Sequence, residues 1–309
     1  MAFVSDIAPL ITSQVIVPLL LTWWLVAPPL PEGRGGWQSR SNWALHALAA
    51  TVVIAFALVV GAQSWTSIYV GAILLVSLVI AVGFSMRDLP ENWTPFHFGD
   101  TWGKKLFVSV QLLFGLAYIP LSGYAFTGYV AEGEAVALHF PLDDGMYIVG
   151  HGGSNPLINY HNLSETQEYA VDLLKLNVFG TRAKGIRPEK LDRYAIYGDT
   201  LHSPCSGRVQ KAVSHRLEYA PPKRDEEHPA GNHVVLQCKG VRVYLAHLMP
   251  GSVAVDSGDI AAVGTPLGRI GNSGNSSEPH LHIHAKRDGE GVPLRFNGRF
   301  LVRNSLVWR

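Results

Sequence analysis

The segment PHLHIHA, Pro279 to Ala285, repeats imidazoles at every second position, and the loop GNSGNSSE, Gly271 to Glu278, leads into it. In a β-strand, side chains at i, i+2 and i+4 share one face with spacings of roughly 6.5–7 Å. His280, His282 and His284 would then line one surface, while Leu281 and Ile283 point into a core. Neutral imidazole is the commonest protein ligand for zinc, and a catalytic zinc takes three protein ligands and keeps one position for water. One strand histidine can hold the metal while its neighbour two residues away sits over the water as a general base. A His-x-His pair alone is more often a solvated or hydrogen-bonded surface pair. A second set of histidines and a carboxylate upstream in the same half of the chain tips the balance towards a metal.

The 309-residue chain changes composition near residue 130, which predicts a membrane part over 1–130 and a second domain over 131–309. Ile7 to Pro31, Ser41 to Met86 and Leu106 to Ala131 contain no Asp, Glu, Lys or Arg. A helix needs about 20 apolar residues to cross a bilayer, so the outer two stretches fit one crossing each and the middle one fits two. GAQSWTS, Gly61 to Ser67, supplies a polar turn with an interfacial Trp. Four spans are expected near 9–28, 43–61, 66–86 and 106–128. Arg34, Arg40, Arg87, Lys104 and Lys105 fall in alternate loops, so the positive-inside rule makes those loops cytoplasmic and turns the carboxy-terminal half outward. Met1 to Asp6 lacks the basic start of a cleavable signal peptide. His46 and Gln63 are the strongly polar groups of the middle pair. His46 is placed near a helix start, where it reaches the interface, and anchoring is favoured over transport.

The outward domain carries 20 Lys and Arg against 19 Asp and Glu, so it has no charge excess for nucleic acid. Short runs rich in Val, Ile, Tyr and Leu, separated by Gly, Pro and Asn, predict an all-β domain of mainly antiparallel sheets, a β-sandwich or open barrel. Candidate strands are Ala135–Phe140, Tyr147–Gly150, Tyr169–Leu176, Gly207–Ser214, His233–Gln237, Val241–Leu248 and His280–His284. Cys205 and Cys238 flank two of these, and a hairpin would bring them together as a disulfide. Two buried free thiols are the alternative. Leu217 to Gly231, polar and proline-rich, reads as a long loop, either a wall of a site or plain disorder.

PHLHIHA after GNSGNSSE, preceded by YLAHL at Tyr244 to Leu248, resembles the lysostaphin-like zinc metallopeptidases, over roughly Glu134 to Lys286. GDTLHSPCSGRV and GNHVVL resemble that family's strand-turn elements around the active groove. The resemblance implies that His280 and His247 are catalytic and that His282 is a zinc ligand. His284, where relatives often carry another polar residue, is then a residue that orients ligands from behind. The family's usual remaining pair is a His and an Asp three residues apart. Asp172 fits the Asp, and an acid flanked by Val171, Leu173 and Leu174 is costly to bury without a charged or metal partner. The nearest upstream histidine, His161, is eleven positions away, which implies an inserted turn. Glu168 as a substitute carboxylate and a broken site are the alternatives.

These expectations define a membrane-anchored zinc endopeptidase with one Zn2+ held by His161, Asp172 and His282. His280 would take the proton of water, and His247 would stabilise the oxyanion or protonate the leaving amine. The expected substrate is a peptidoglycan stem or cross-link peptide. The expected place is the bacterial cytoplasmic membrane, with the catalytic domain on the periplasmic or extracellular side. A metal-free envelope scaffold that binds or activates another wall hydrolase is the rival, kept alive by the irregular spacing at His161. A phosphotransfer domain is a third reading, disfavoured by the outward orientation and by Asp172.

Overall fold

The structure, a computed structural model, describes residues 8–27, 37, 39–89, 91, 93, 98 and 101–309. Its contacts divide the chain into two compact units, Met1–Phe126 and Thr127–Arg309.

The first unit holds helices α1 (Ala8–Val26), α2 (Arg40–Val60), α3 (Ile68–Ser85) and α4 (Trp102–Thr127), each long and apolar enough to cross a membrane. Pro28 and Arg34, read as a span end and a loop cation, lie outside the described residues. The Gly61 to Ser67 turn contains one helical turn, Gln63–Thr66, and breaks at Ser67, whose φ is 86°. Leu21, Leu25, Val53, Ile54, Leu74 and Leu78 pack together inside. Ile73, Val76, Val79, Leu113 and Leu116 stay exposed, an apolar exterior that fits a protein bathed in lipid. His46 departs from the expectation that it reaches the interface. It is fully buried, with Nε2 2.8 Å from the Leu21 carbonyl oxygen and Nδ1 2.5 Å from Gln111 Oε1.

The second unit is built from strands β1 (Val136–Leu138), β2 (Met146–His151), β3 (Val171–Leu176), β4 (Thr200–His202), β5 (Gly207–Val213), β6 (Asn232–Cys238) and β7 (Val241–Leu248). It continues with β8 (Ile260–Ala261), β9 (Pro266–Arg269), β10 (Leu281–Arg287), β11 (Glu290–Val292), β12 (Leu294–Phe296), β13 (Arg299–Phe300) and β14 (Leu306–Trp308). One large sheet runs β14-β2-β3-β10-β7-β6-β5-β8, with β11 paired to the end of β10; it does not close into a barrel. Every pairing in it is antiparallel. The smaller sheets are β1-β12-β13, with β1 parallel to β12, and β4-β9.

Alternation of side chains drives the packing. Val171 and Leu173 of β3, Val234 and Leu236 of β6, Val241, Val243 and Leu245 of β7, and Leu281 and Ile283 of β10 form one buried face. At about 25 cal/mol per Å² of apolar surface, burying each such side chain contributes about 1.5–3 kcal/mol, which pins the register and so fixes what the opposite face presents. Cys205 and Cys238 are disulfide-bonded, with Cα atoms 6.1 Å apart. The long segment Leu217 to Gly231 is tied down: Asp225 N donates to Gly274 O (2.9 Å) and Asn275 N to Pro229 O (3.0 Å), so it walls the Gly-Asn loop.

Candidate metal centre

The face of the large sheet opposite its core carries a transverse row. In register, His151 of β2 stands opposite Asp172 of β3, Asp172 opposite His282 of β10, and His282 opposite Ala246 of β7. Directly opposed residues of an antiparallel pair project to the same side. The alternation that sends Leu281 and Ile283 inward therefore delivers His282 and His284 to the row.

Two bulges add imidazoles that alternation alone would bury. In β7 the pairing jumps from Val234↔Leu245 to Asn232↔Leu248, which inserts one extra residue on the β7 side. His247 sits there with φ 67°, a left-handed conformation that costs a side-chain-bearing residue of the order of 1–3 kcal/mol. Its ring comes to 4.7 Å from that of His280 and 5.8 Å from that of His282. In β2 the pairing jumps from Val149↔Leu173 to His151↔Asp172, leaving Gly150 as the extra residue.

His161 arrives from a single 3-10 turn, Tyr160–Leu163. Asn159, fully buried, closes the intervening loop: its Nδ2 donates to the carbonyls of Gly153 (2.9 Å), Glu168 (3.1 Å) and Ala170 (3.1 Å), and its Oδ1 accepts from His161 N (3.3 Å). The eleven-residue separation is thereby folded into contact. His161 Nε2 lies 2.9 Å from Asp172 Oδ2, and His282 Nδ1 lies 2.9 Å from Asp172 Oδ1. Ligand atoms of His161, Asp172 and His282 all lie within 4.8 Å of one another, and those of His247, His280 and His282 do likewise. Glu168 is in neither group, and its surroundings are the acids Glu290, Glu165 and Glu132.

Hydrogen bonds fix the tautomers. The Asp172 carboxylate can only accept, so in this arrangement His161 and His282 donate to it. Neutral His282 then accepts at Nε2 from His284 Nδ1 (2.9 Å), and His284 stacks on Tyr244 with centroids 4.5 Å apart. His284 Nε2 is buried with no partner. His280 Nδ1 donates to the Glu278 carbonyl (2.8 Å) and His247 Nδ1 to the Ser273 carbonyl (2.8 Å). The hydrogen on Nδ1 leaves Nε2 as the lone-pair nitrogen of each ring, and that of His280 lies 3.7 Å from Asp172 Oδ1.

Burial pushes the Asp172 carboxyl up, but the His161 and His280 imidazoles, with hydrogen bonds from His161 and His282, outweigh it and hold it well below the usual carboxylate range. Burial is the largest cause that keeps His247 and His282 below ordinary histidine values, and it holds His284 at about 2 and His151 at about 4. Asp172 is therefore an ionised carboxylate, set beside the buried rings of His151, His247, His282 and His284, whose burial disfavours their charged forms. No Lys or Arg forms an ion pair with Asp172 among the described residues. Two nitrogen donors and one oxygen donor, buried and convergent, fit zinc's preferred ligands.

Sequence reasoning did not single out His151, Tyr160 or Arg303. The Tyr160 ring lies 4.0 Å from that of His161 and 4.5 Å from that of His151. Arg303 Nη1 donates to the Gly150 carbonyl (2.7 Å) and lies 3.4 Å from His151 Nδ1. Gly150, just before His151, was the one available signal, since a glycine inside a strand marks a bulge without showing which residue is the extra one.

Comparison with known proteins adds a family. Residues 190–294 match the model of peptidase family M23, a span that contains His247, His280 and His282 but neither His161 nor Asp172. No curated protein matches the chain. Among solved structures, a zinc containing peptidase from Vibrio cholerae is 19% identical, with 51% of this chain and 39% of that one covered at a TM-score of 0.32. A putative peptidase M23 from Pseudomonas aeruginosa is 14% identical, with 56% and 57% covered at a TM-score of 0.30. The M23 metalloprotease pseudoalterin, from the deep sea, is 16% identical, with 57% of this chain and 100% of that one covered at a TM-score of 0.34. The chain thus spans about two fifths of the Vibrio cholerae peptidase and over half of the Pseudomonas aeruginosa one. The carboxy-terminal unit of this chain carries a peptidase family M23 domain at residues 190–294.

Proposed function

We propose that the chain is a membrane-anchored zinc endopeptidase that hydrolyses amide bonds in peptidoglycan stem or cross-link peptides. The observation that carries this reading is the convergence of His161, Asp172 and His282 on one point of the β3–β10 row, beside two imidazoles with bare Nε2 atoms. His161 through Nε2, Asp172, and His282 through Nδ1 are the residues that would hold zinc. Zinc supplies Lewis acidity, which polarises a carbonyl and brings the pKa of water from 15.7 towards about 7.

The protein's own groups do the rest. As a ligand through Nδ1, His282 carries its hydrogen on Nε2 and donates it to His284 Nδ1, so His284 orients the ligand ring from behind. His280, its Nδ1 hydrogen committed to the Glu278 carbonyl, accepts the proton of the attacking water at Nε2. The tetrahedral carbon that forms then expels the amine. That amine takes the proton that His280 Nε2 received from the water, while His247, whose Nδ1 is held in the same way by Ser273, turns an Nε2 lone pair to the centre that accepts the remaining hydroxyl proton as the carboxylate forms. Burial keeps His247 below ordinary histidine values, so it begins the cycle as a proton acceptor.

The test is a digest of purified peptidoglycan by the detergent-solubilised full chain, with products read by mass spectrometry. The reading predicts new amino and carboxyl termini within the peptides, abolished by a chelator and restored by zinc. Intact peptides with zinc present would contradict it and favour the scaffold alternative.

A further inference from the structure

His151 lies at one end of the row that holds Asp172 and His282, and it is there because of the bulge at Gly150. Without that extra residue Gly150 would oppose Asp172, and His151 would turn to the core face. A Cβ on residue 150 would come within 2.9 Å of Leu174 Cδ1, so the bulge favours glycine. Ring contacts run His151–His161 (6.0 Å), His161–His282 (4.6 Å) and His282–His247 (5.8 Å), which sets His151 and His247 at opposite ends of the three proposed ligands.

Arg303 decides where the hydrogen of His151 sits. A guanidinium has five N–H donors and no acceptor and stays protonated. With Nη1 beside His151 Nδ1, that nitrogen is the acceptor, and the neutral ring carries its hydrogen on Nε2. Nε2 has no protein partner among the described residues and is not sealed from solvent. His247 and His280 are the opposite tautomer, with Nδ1 hydrogens turned to backbone carbonyls. Of these three imidazoles around the centre, His151 alone offers an open N–H.

We infer that His151 Nε2–H is a catalytic hydrogen-bond donor to the scissile carbonyl oxygen of the bound peptide, and that Arg303 is the positioning residue that fixes its tautomer. The inference rests on the peptidase reading. As water adds to the carbonyl carbon, the C–O π pair moves onto oxygen, and a donor already aimed there stabilises the charge without reorganising. No proton leaves His151 in this step.

The experiment uses the full chain in detergent, a purified cross-linked muropeptide as substrate, and bound zinc measured for each variant. His151→Ala is expected to lower kcat about 10²-fold with KM and zinc content unchanged, since one such donor is worth about 10²–10³ in rate. His151→Gln, which keeps a side-chain N–H, is expected to recover part of the loss. Nitrogen-15 shifts of histidine-labelled protein are expected to place the His151 hydrogen on Nε2, and Arg303→Met to mix the tautomers. Unchanged kcat in His151→Ala, a change in KM alone, or loss of zinc would overturn the inference. So would a wild-type hydrogen on Nδ1, a result independent of activity. A wild-type chain that binds zinc and cleaves nothing would instead sink the peptidase reading.

Discussion

Around Asp172 the imidazoles differ less in type than in where each keeps its hydrogen, and that difference separates the roles proposed for them. His280 and His247 hand theirs to carbonyls and face the centre with lone pairs, while His282 and His161 share the carboxylate. Their burial has a pH consequence for the metal-free protein. His151 at about 4, His284 at about 2 and His247 well below its ordinary value all bind protons less readily folded than unfolded. The unfolded chain therefore takes up protons first as pH falls below about 6.5, and the stability these neutral rings confer above that pH drains away towards pH 4. The melting temperature of the chelated protein should fall from pH 7 to pH 5, and a flat profile would show that these rings are not buried neutral. His280, His282 and His284 were legible in the sequence because a period of two survives in a regular strand. His247 was legible only through its YLAHL context, because its bulge breaks that period. His151 was not, since nothing in YIVGHGG shows that Gly150 is the extra residue.

Elements place these residues through a few backbone devices, and each device can be removed singly. Asn159 links three carbonyls across the loop that brings His161 to Asp172. Asn159→Ala should weaken zinc binding about 10- to 100-fold, as loss of groups supporting metal ligands typically does. Zinc titration with a competing chelator measures this, and unchanged affinity would mean that the turn holds itself. Gly274 lies where Leu217 to Gly231 packs on the Gly-Asn loop. Its φ is +83°, and a Cβ there would meet Gly231 N at 2.4 Å and Pro229 O at 2.6 Å. Gly274→Ala should cost about 1–3 kcal/mol and expose the long loop to proteolysis, both read by thermal melts and limited digestion. The sequence marked this segment as a wall or as disorder, and the contacts that decide between them are backbone bonds to a distant loop. Strands were readable to within a few residues: Val241–Leu248 agrees at both ends, whereas His280 stands just before β10.

At the scale of the whole chain, four helices long and apolar enough to span a bilayer precede the M23 domain. They were legible because hydropathy over about 20 residues is a coarse property that no tertiary contact overrides. The burial of His46 was not, because a helix position alone does not reveal Gln111 and the Leu21 carbonyl waiting on neighbouring helices. The loop cations predict that the carboxy-terminal unit faces outward. A carboxy-terminal alkaline phosphatase fusion should then be active and a fluorescent-protein fusion dark, and the reverse pattern would place the domain in the cytoplasm. The central claim is that His161, Asp172 and His282 share one zinc ion, and elemental analysis of the purified full chain tests it most directly. The account predicts one zinc per chain in the wild type, lost in His161→Ala and in Asp172→Asn while the protein stays folded; zinc retained in both variants, or a folded wild type that binds none, would contradict it.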